Sequence, residues 1–169
     1  MCLILDTNSF SAFFDKSCAD YESLEGARNW VIRKEGKLVY GGEKYKHELR
    51  KARKYVPIFA ELKRLGKVVE LSGDDVDKRE AEVRKIEPDQ KFDDPHLVAI
   101  VNVSGVKVIC TRDARAEPFL KDLRFYASKR HVPKIYKSAR QNVLLVDANI
   151  CDCCKPKNVL PRRVAAGLA

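Results

Sequence analysis

The chain has 169 residues, 45% of them apolar, and a formal net charge of +9. That length and apolar content suit one domain with a buried core and exclude wholesale disorder. No apolar run approaches the ~18 residues of a membrane helix, and Asp6 interrupts the N-terminal apolar run too early for a signal peptide, so the expectation is a cytoplasmic chain with no membrane partner.

"CLIL" (2–5) reads as a short, fully buried strand. "TNSFSAFFDK" (7–16) starts a helix with Phe10, Phe13 and Phe14 at i, i+3 and i+4, and 21–36 repeats the helical spacing through Leu24, Ala27, Trp30 and Val31. "KLVY" (37–40) is a second strand, and Gly41-Gly42 lets the backbone turn into a helix running from Glu43 towards Gly66, broken or kinked at Pro57. "KVVEL" (67–71) is a third strand, followed by a Ser/Asp-capped helix over 72–87. A helix over 93–105 has an acidic cap and an early proline, "VKVIC" (106–110) is a fourth strand, and 117–129 reads as helical. "PKIYKSARQ" (133–141) suggests one or two helical turns, "VLLV" (143–146) a last strand, and 151–169 an irregular basic tail after a domain spanning 1–150. Strands alternating with helices of crossover length imply an α/β fold, a mostly parallel sheet covered on both faces.

In such sheets ligands bind outside the carboxyl ends of the strands. Asp6 follows the first strand and Asp113 follows the fourth; Glu43 and Glu48 lie on the helix after "LVYGG", and Asp93 and Asp94 open the helix before the fourth strand. Each aspartate alone is an ordinary cap. Together, with no lysine or arginine between them, such carboxylates repel unless a cation neutralises them. Oxygen ligands of this kind suit Mg²⁺ or Mn²⁺, which orients a water and stabilises the charge of an in-line attack on phosphate.

"LILDTN" at the N-terminus, "GGEKYKHEL", "DDPHLVAIV" and "VICTRD", in that order, resemble the motifs of PIN domains over residues 1 to about 125. The resemblance implies a three-layer α/β/α sandwich and a metal-dependent ribonuclease. It implies Asp6, Glu48, Asp94 and Asp113 as the acidic site holding one or two Mg²⁺ or Mn²⁺ ions, with Asn8 and Thr111 as polar support. It implies RNA as substrate, DNA as an alternative, cleavage leaving a 5′-phosphate and a 3′-hydroxyl, homodimerisation, and an antitoxin protein as partner if the chain is a toxin. Glu43 and Glu48 stand about 140° apart round a helix and cannot share one point. Glu48 is preferred because it precedes Leu49 on a turn whose apolar neighbours face the core, and because it matches the family's "EL". Asp94, directly before Pro95, is preferred over Asp93, which is left as a cap.

Charge divides unevenly. Residues 1–114 carry 21 Lys and Arg against 20 Asp and Glu, whereas 115–169 carry 12 against 4. A polyanion is a natural partner for the basic third. Lys129, Arg130, Lys134, Lys137 and Arg140, with Lys155, Lys157, Arg162 and Arg163 beyond, are candidates for nucleic-acid contact, and Arg50 and Lys51 lie beside Glu48. Tyr126 and Tyr136 are candidates either for base stacking or for the core. A non-catalytic nucleic-acid-binding module built on these charges is the alternative to an enzyme. A phosphoacceptor receiver domain fits poorly, because "KVVELS" ends in no aspartate. His96 is a candidate substrate contact, though a histidine there is ordinarily a surface residue; His47 and His131 have weaker cases. The six cysteines lie too irregularly for a disulfide framework. Cys151, Cys153 and Cys154 do not show zinc-type spacing, and a fourth ligand, whether Cys18, Cys110 or His131, would have to come from folding, so reduced thiols are the expectation. Asp147 after "VLLV" reads as a strand-end or loop cap.

Overall fold

β1 (Cys2–Leu5) is the centre of a five-stranded parallel sheet in a computed structural model that describes residues 2–155. β2 (Lys37–Tyr40) and β3 (Val68–Glu70) lie on one side of it, β4 (Val108–Cys110) and β5 (Lys134–Tyr136) on the other, in the order β3-β2-β1-β4-β5. Helices cover both faces, giving a three-layer α/β/α sandwich. All four residues of β1 are buried, which is why the run carries no polar alternation.

The helices are α1 (Phe10–Phe14), α2 (Glu25–Arg33), α3 (Glu43–Lys51), α4 (Val56–Arg64), α5 (Gly73–Ile86), α6 (Pro95–Ser104) and α7 (Glu117–Leu120). The expected long helix after β2 breaks at Ala52, and α4 restarts with Pro57 in its first turn, where a missing N–H costs nothing. Gly42 precedes α3 at φ 79°, and a Cβ there would lie 2.7 Å from Cγ1 of Val76. Asp77 on α5 accepts the Glu43 N–H at 2.8 Å and so caps α3 from another element. Buried Arg28 on α2 donates to the carbonyls of Ala12 and Phe13, freed where α1 ends, and to that of Tyr21 in the turn before α2.

Three expectations are corrected. The last strand is "KIY" (134–136), not "VLLV". Lys134 N donates to Lys107 O at 2.8 Å, and Ile135 and Tyr136 are buried on the free edge of β4. With that edge taken, 139–144 forms a 3₁₀ turn begun by a Ser138–Gln141 capping box, and Val143 is 78% exposed. The helix expected over 117–129 is only one α-turn, α7, followed by 3₁₀ turns at Leu123–Phe125 and Lys129–His131. Finally, Cys2 and Cys154 are joined as a disulfide, where reduced thiols were expected.

Candidate functional site

Strand order reverses between β1 and β4, and the crevice at such a switch point is where open parallel sheets bind ligands. Leu5 is paired with Cys110, so the residues that follow, Asp6 and Thr111, emerge side by side. Thr111 Oγ1 donates to Asp6 Oδ2 at 2.6 Å, and Asn8 N donates to Asp6 Oδ1 at 3.1 Å. The same Thr111 oxygen accepts the Asp113 N–H at 3.1 Å, turning the chain so that Asp113 stays near the crevice.

α3 contributes Glu48, whose Oε2 accepts from Thr7 Oγ1 at 2.8 Å. Glu43 points away, exposed, towards Lys46 and Arg50. α6 begins at this same edge, because a helix joining parallel strands runs antiparallel to them. Its approach is held by Phe92, buried against the rings of Phe119 and Phe125, and by Arg84, which donates to Phe92 O at 2.6 Å. Asp93 is then exposed and Asp94 buried.

His96 lies in the first turn of α6 and is fully buried, so the surface position expected for it is corrected. Its Nε2 is 3.5 Å from Glu48 Oε2, and Glu48, Asp94 and His96 present ligand atoms within 4.8 Å of one another. Among the described residues, three buried polar atoms of this group lack a hydrogen-bond partner: Asp94 Oδ2 and both ring nitrogens of His96. Buried polar atoms are nearly always satisfied, so three orphans at one place fit the donor set of a cation site. The sequence signal was present in "DDPH": residues two apart across a helix start can bring their polar atoms together.

The electrostatics agree. Asp94 is pushed up to about 7, first by burial and then by the charges of Asp6, Asp93, Glu48 and Asp113. Burial also raises Asp6, opposed by its bonds from Thr111 and Asn8. Burial holds His96 down to about 4, neutral and able to offer a lone pair. Asp113 lies below the usual range because Arg115 donates to it, at 3.0 Å from Nη2 to Oδ2. Lys44 Nζ stands 3.4 Å from Glu48 Oε1. The carboxylates are therefore not free of cations, as the sequence suggested; Arg115 and Lys44 stand at the rim. A cavity of about 320 Å³ opens onto the group, lined by Thr7, Asn8, Lys44, Glu48, Lys51, Ala52, Asp93 and Asp94.

The expected nucleic-acid set is divided by the fold. Lys51 lines the cavity and Arg50 pairs outward with Glu43. Lys137 follows β5 at the site edge, paired with Glu117, and Arg140 is exposed just beyond it. Lys134 opens β5 at the opposite edge, and Lys129 and Arg130 lie in the turn before it. Tyr126 and Tyr136 are buried and belong to the core. Lys157, Arg162 and Arg163 lie outside the described residues. No helix among those described is long and apolar enough to cross a membrane. Compared with protein-family models, curated proteins and solved structures, the chain matches none.

Proposed function

We propose that this chain is a PIN-type, Mg²⁺- or Mn²⁺-dependent ribonuclease. The observation that carries the reading is Asp94: a buried carboxyl with a free oxygen, raised to about 7 by burial and by four further carboxylates at the sheet's switch point. Asp6, Glu48 and Asp94 would hold the cation, with Asp113 at the edge of the set and neutral His96 as a nitrogen donor beside it. A cation held there would supply a nucleophilic water and charge neutralisation at the phosphate.

The chain's own residues do the positioning. Thr111 and the Asn8 N–H fix one rotamer of Asp6, and Thr7 fixes Glu48, so neither of these two carboxylates must reorganise on binding. Lys44 and Lys51 line the cavity and suit a phosphate of the substrate backbone. Arg115 leaves Asp113 ionised at neutral pH.

The test is cleavage of single-stranded RNA with Mn²⁺, with the ends mapped. Wild type should leave 5′-phosphate and 3′-hydroxyl ends, and Asp6→Asn should lose at least about a hundredfold in rate. The reading fails if wild type cuts no RNA and Asp6→Asn binds Mn²⁺ as wild type does. Lysines at the opposite edge favour a second reading, a non-catalytic RNA-binding module. That module would show salt-sensitive RNA binding unchanged by Asp6→Asn.

A further inference from the structure

A second cluster of ligand atoms lies at the other end of β1. Cys2 opens that strand, and Cys151, Cys153 and Cys154 lie in and beside a 3₁₀ turn packed against it. The sulfurs of Cys2, Cys151 and Cys154 are all within 4.8 Å of one another, and all three residues are buried. Cys153 Sγ is 2.7 Å from that of Cys151 and 3.8 Å from that of Cys154. Four sulfurs from chain positions up to 152 apart are therefore gathered in one cluster, Cys153 joining it through Cys151 and Cys154.

We propose that the reduced chain binds one Zn²⁺ through the four sulfurs of Cys2, Cys151, Cys153 and Cys154. A tetrahedral zinc with Zn–S near ~2.3 Å sets its sulfurs about 3.8 Å apart, the scale of this cluster. The disulfide between Cys2 and Cys154 employs two sulfurs and leaves those of Cys151 and Cys153 2.7 Å apart beside it; one ion would hold all four. A dithiol reductant opens the disulfide, giving two electrons and two protons and leaving as its own disulfide. Each of the four thiols then passes its proton to solvent as its sulfur ligates the ion. Four thiolates on Zn²⁺ leave a net negative site, and Lys107 and Lys155 share a surface cavity with Cys151 and Asp152 beside it.

Adjacent ligands at 153 and 154 depart from the paired spacing of zinc fingers, and the missing fourth ligand is supplied by Cys2, the second residue of the chain. Such a site would staple the segment after β5 onto the central strand. Closing a loop of this length restricts the unfolded chain strongly. It acts on the strand that delivers Asp6 but from the far end, so it does not rest on the nuclease reading.

The test uses the full chain purified under a thiol reductant, with zinc and iron measured after gel filtration. About one zinc per chain is expected in wild type, in Asp94→Asn and in Cys18→Ser. Cys2→Ser and Cys153→Ser should each retain at least about tenfold less. Cys153 is partly exposed and outside the disulfide, so its variant remains informative if Cys2→Ser does not fold. Replacing zinc by Co²⁺ should give thiolate-to-cobalt charge-transfer bands in wild type and not in Cys153→Ser. The proposal is overturned if reduced wild type holds no zinc or holds iron instead. It is equally overturned if Cys153→Ser keeps the full equivalent, or if Asp94→Asn loses it, which would assign the ion to the carboxylates.

Discussion

Asp94 and His96 belong to one cluster of ligand atoms yet respond to pH in opposite senses. Folded Asp94 keeps its proton to about 7 against an ordinary 3.8, so its contribution to stability is full below 3.8 and lost as pH rises through 7. His96 is held to about 4 against an ordinary 6.5, so its contribution is full above 6.5 and lost as pH falls through 4. In metal-free protein the two slopes oppose. Asp94→Asn should therefore gain stability relative to wild type as pH is raised from about 4 to 7, and His96→Gln should lose relative stability over the same window. Denaturant midpoints at several pH values, in the presence of a chelator, read both; curves parallel to wild type would contradict the assignment. Glu48 and Asp94 were legible as single residues from their neighbours Leu49 and Pro95. The burial of His96 was not, because it follows from how α6 packs, and one residue of local sequence carries no record of that packing.

Elements owe their boundaries to contacts that cross the chain. Gly42 combines φ 79° with a close approach to Val76, so Gly42→Ala should destabilise by more than about 1 kcal/mol. Asp77, which caps α3 from α5, would also meet that added Cβ, at 2.8 Å from its Oδ1. Arg28 donates to three carbonyls and lies 3.4 Å over the Tyr21 ring. Arg28→Met should cost about 2 kcal/mol in urea unfolding, because it strands buried carbonyls while keeping most of the side-chain volume. A loss below about 0.5 kcal/mol would mean water replaces the guanidinium. "VLLV" misleads for a related reason. An apolar run specifies burial on some surface, but only the occupancy of the β4 edge decides that "KIY" pairs there and "VLLV" does not. The capping pair Ser138 and Gln141 was written locally and points the right way.

For the molecule as a whole, the sheet separates charges that the sequence groups together. Lys51 faces the carboxylate cavity, whereas Lys134 starts β5 at the far edge. Lys51→Ala should lower RNA cleavage roughly tenfold and reduce the salt slope by about one. Lys134→Ala should leave cleavage as in wild type. If the two variants behave alike, the substrate track does not run across the site edge, and the proposal for Lys51 fails.

What the sequence determined alone was whatever depends on short-range pattern. Four of the five strands, the parallel α/β class and the carboxylates at strand ends and helix starts were all readable, because a strand's end delivers its next residue to a known edge. The tertiary structure decided which groups meet. Register sets Thr111 against Asp6; packing of Phe92 buries Asp94 and exposes Asp93; docking of the last 3₁₀ turn on β1 brings Cys151 and Cys154 to Cys2. The first and last of those encounters join residues 105 and 152 positions apart. They depend on sheet order and on which apolar run wins each edge, a competition among distant segments that no window of the chain contains.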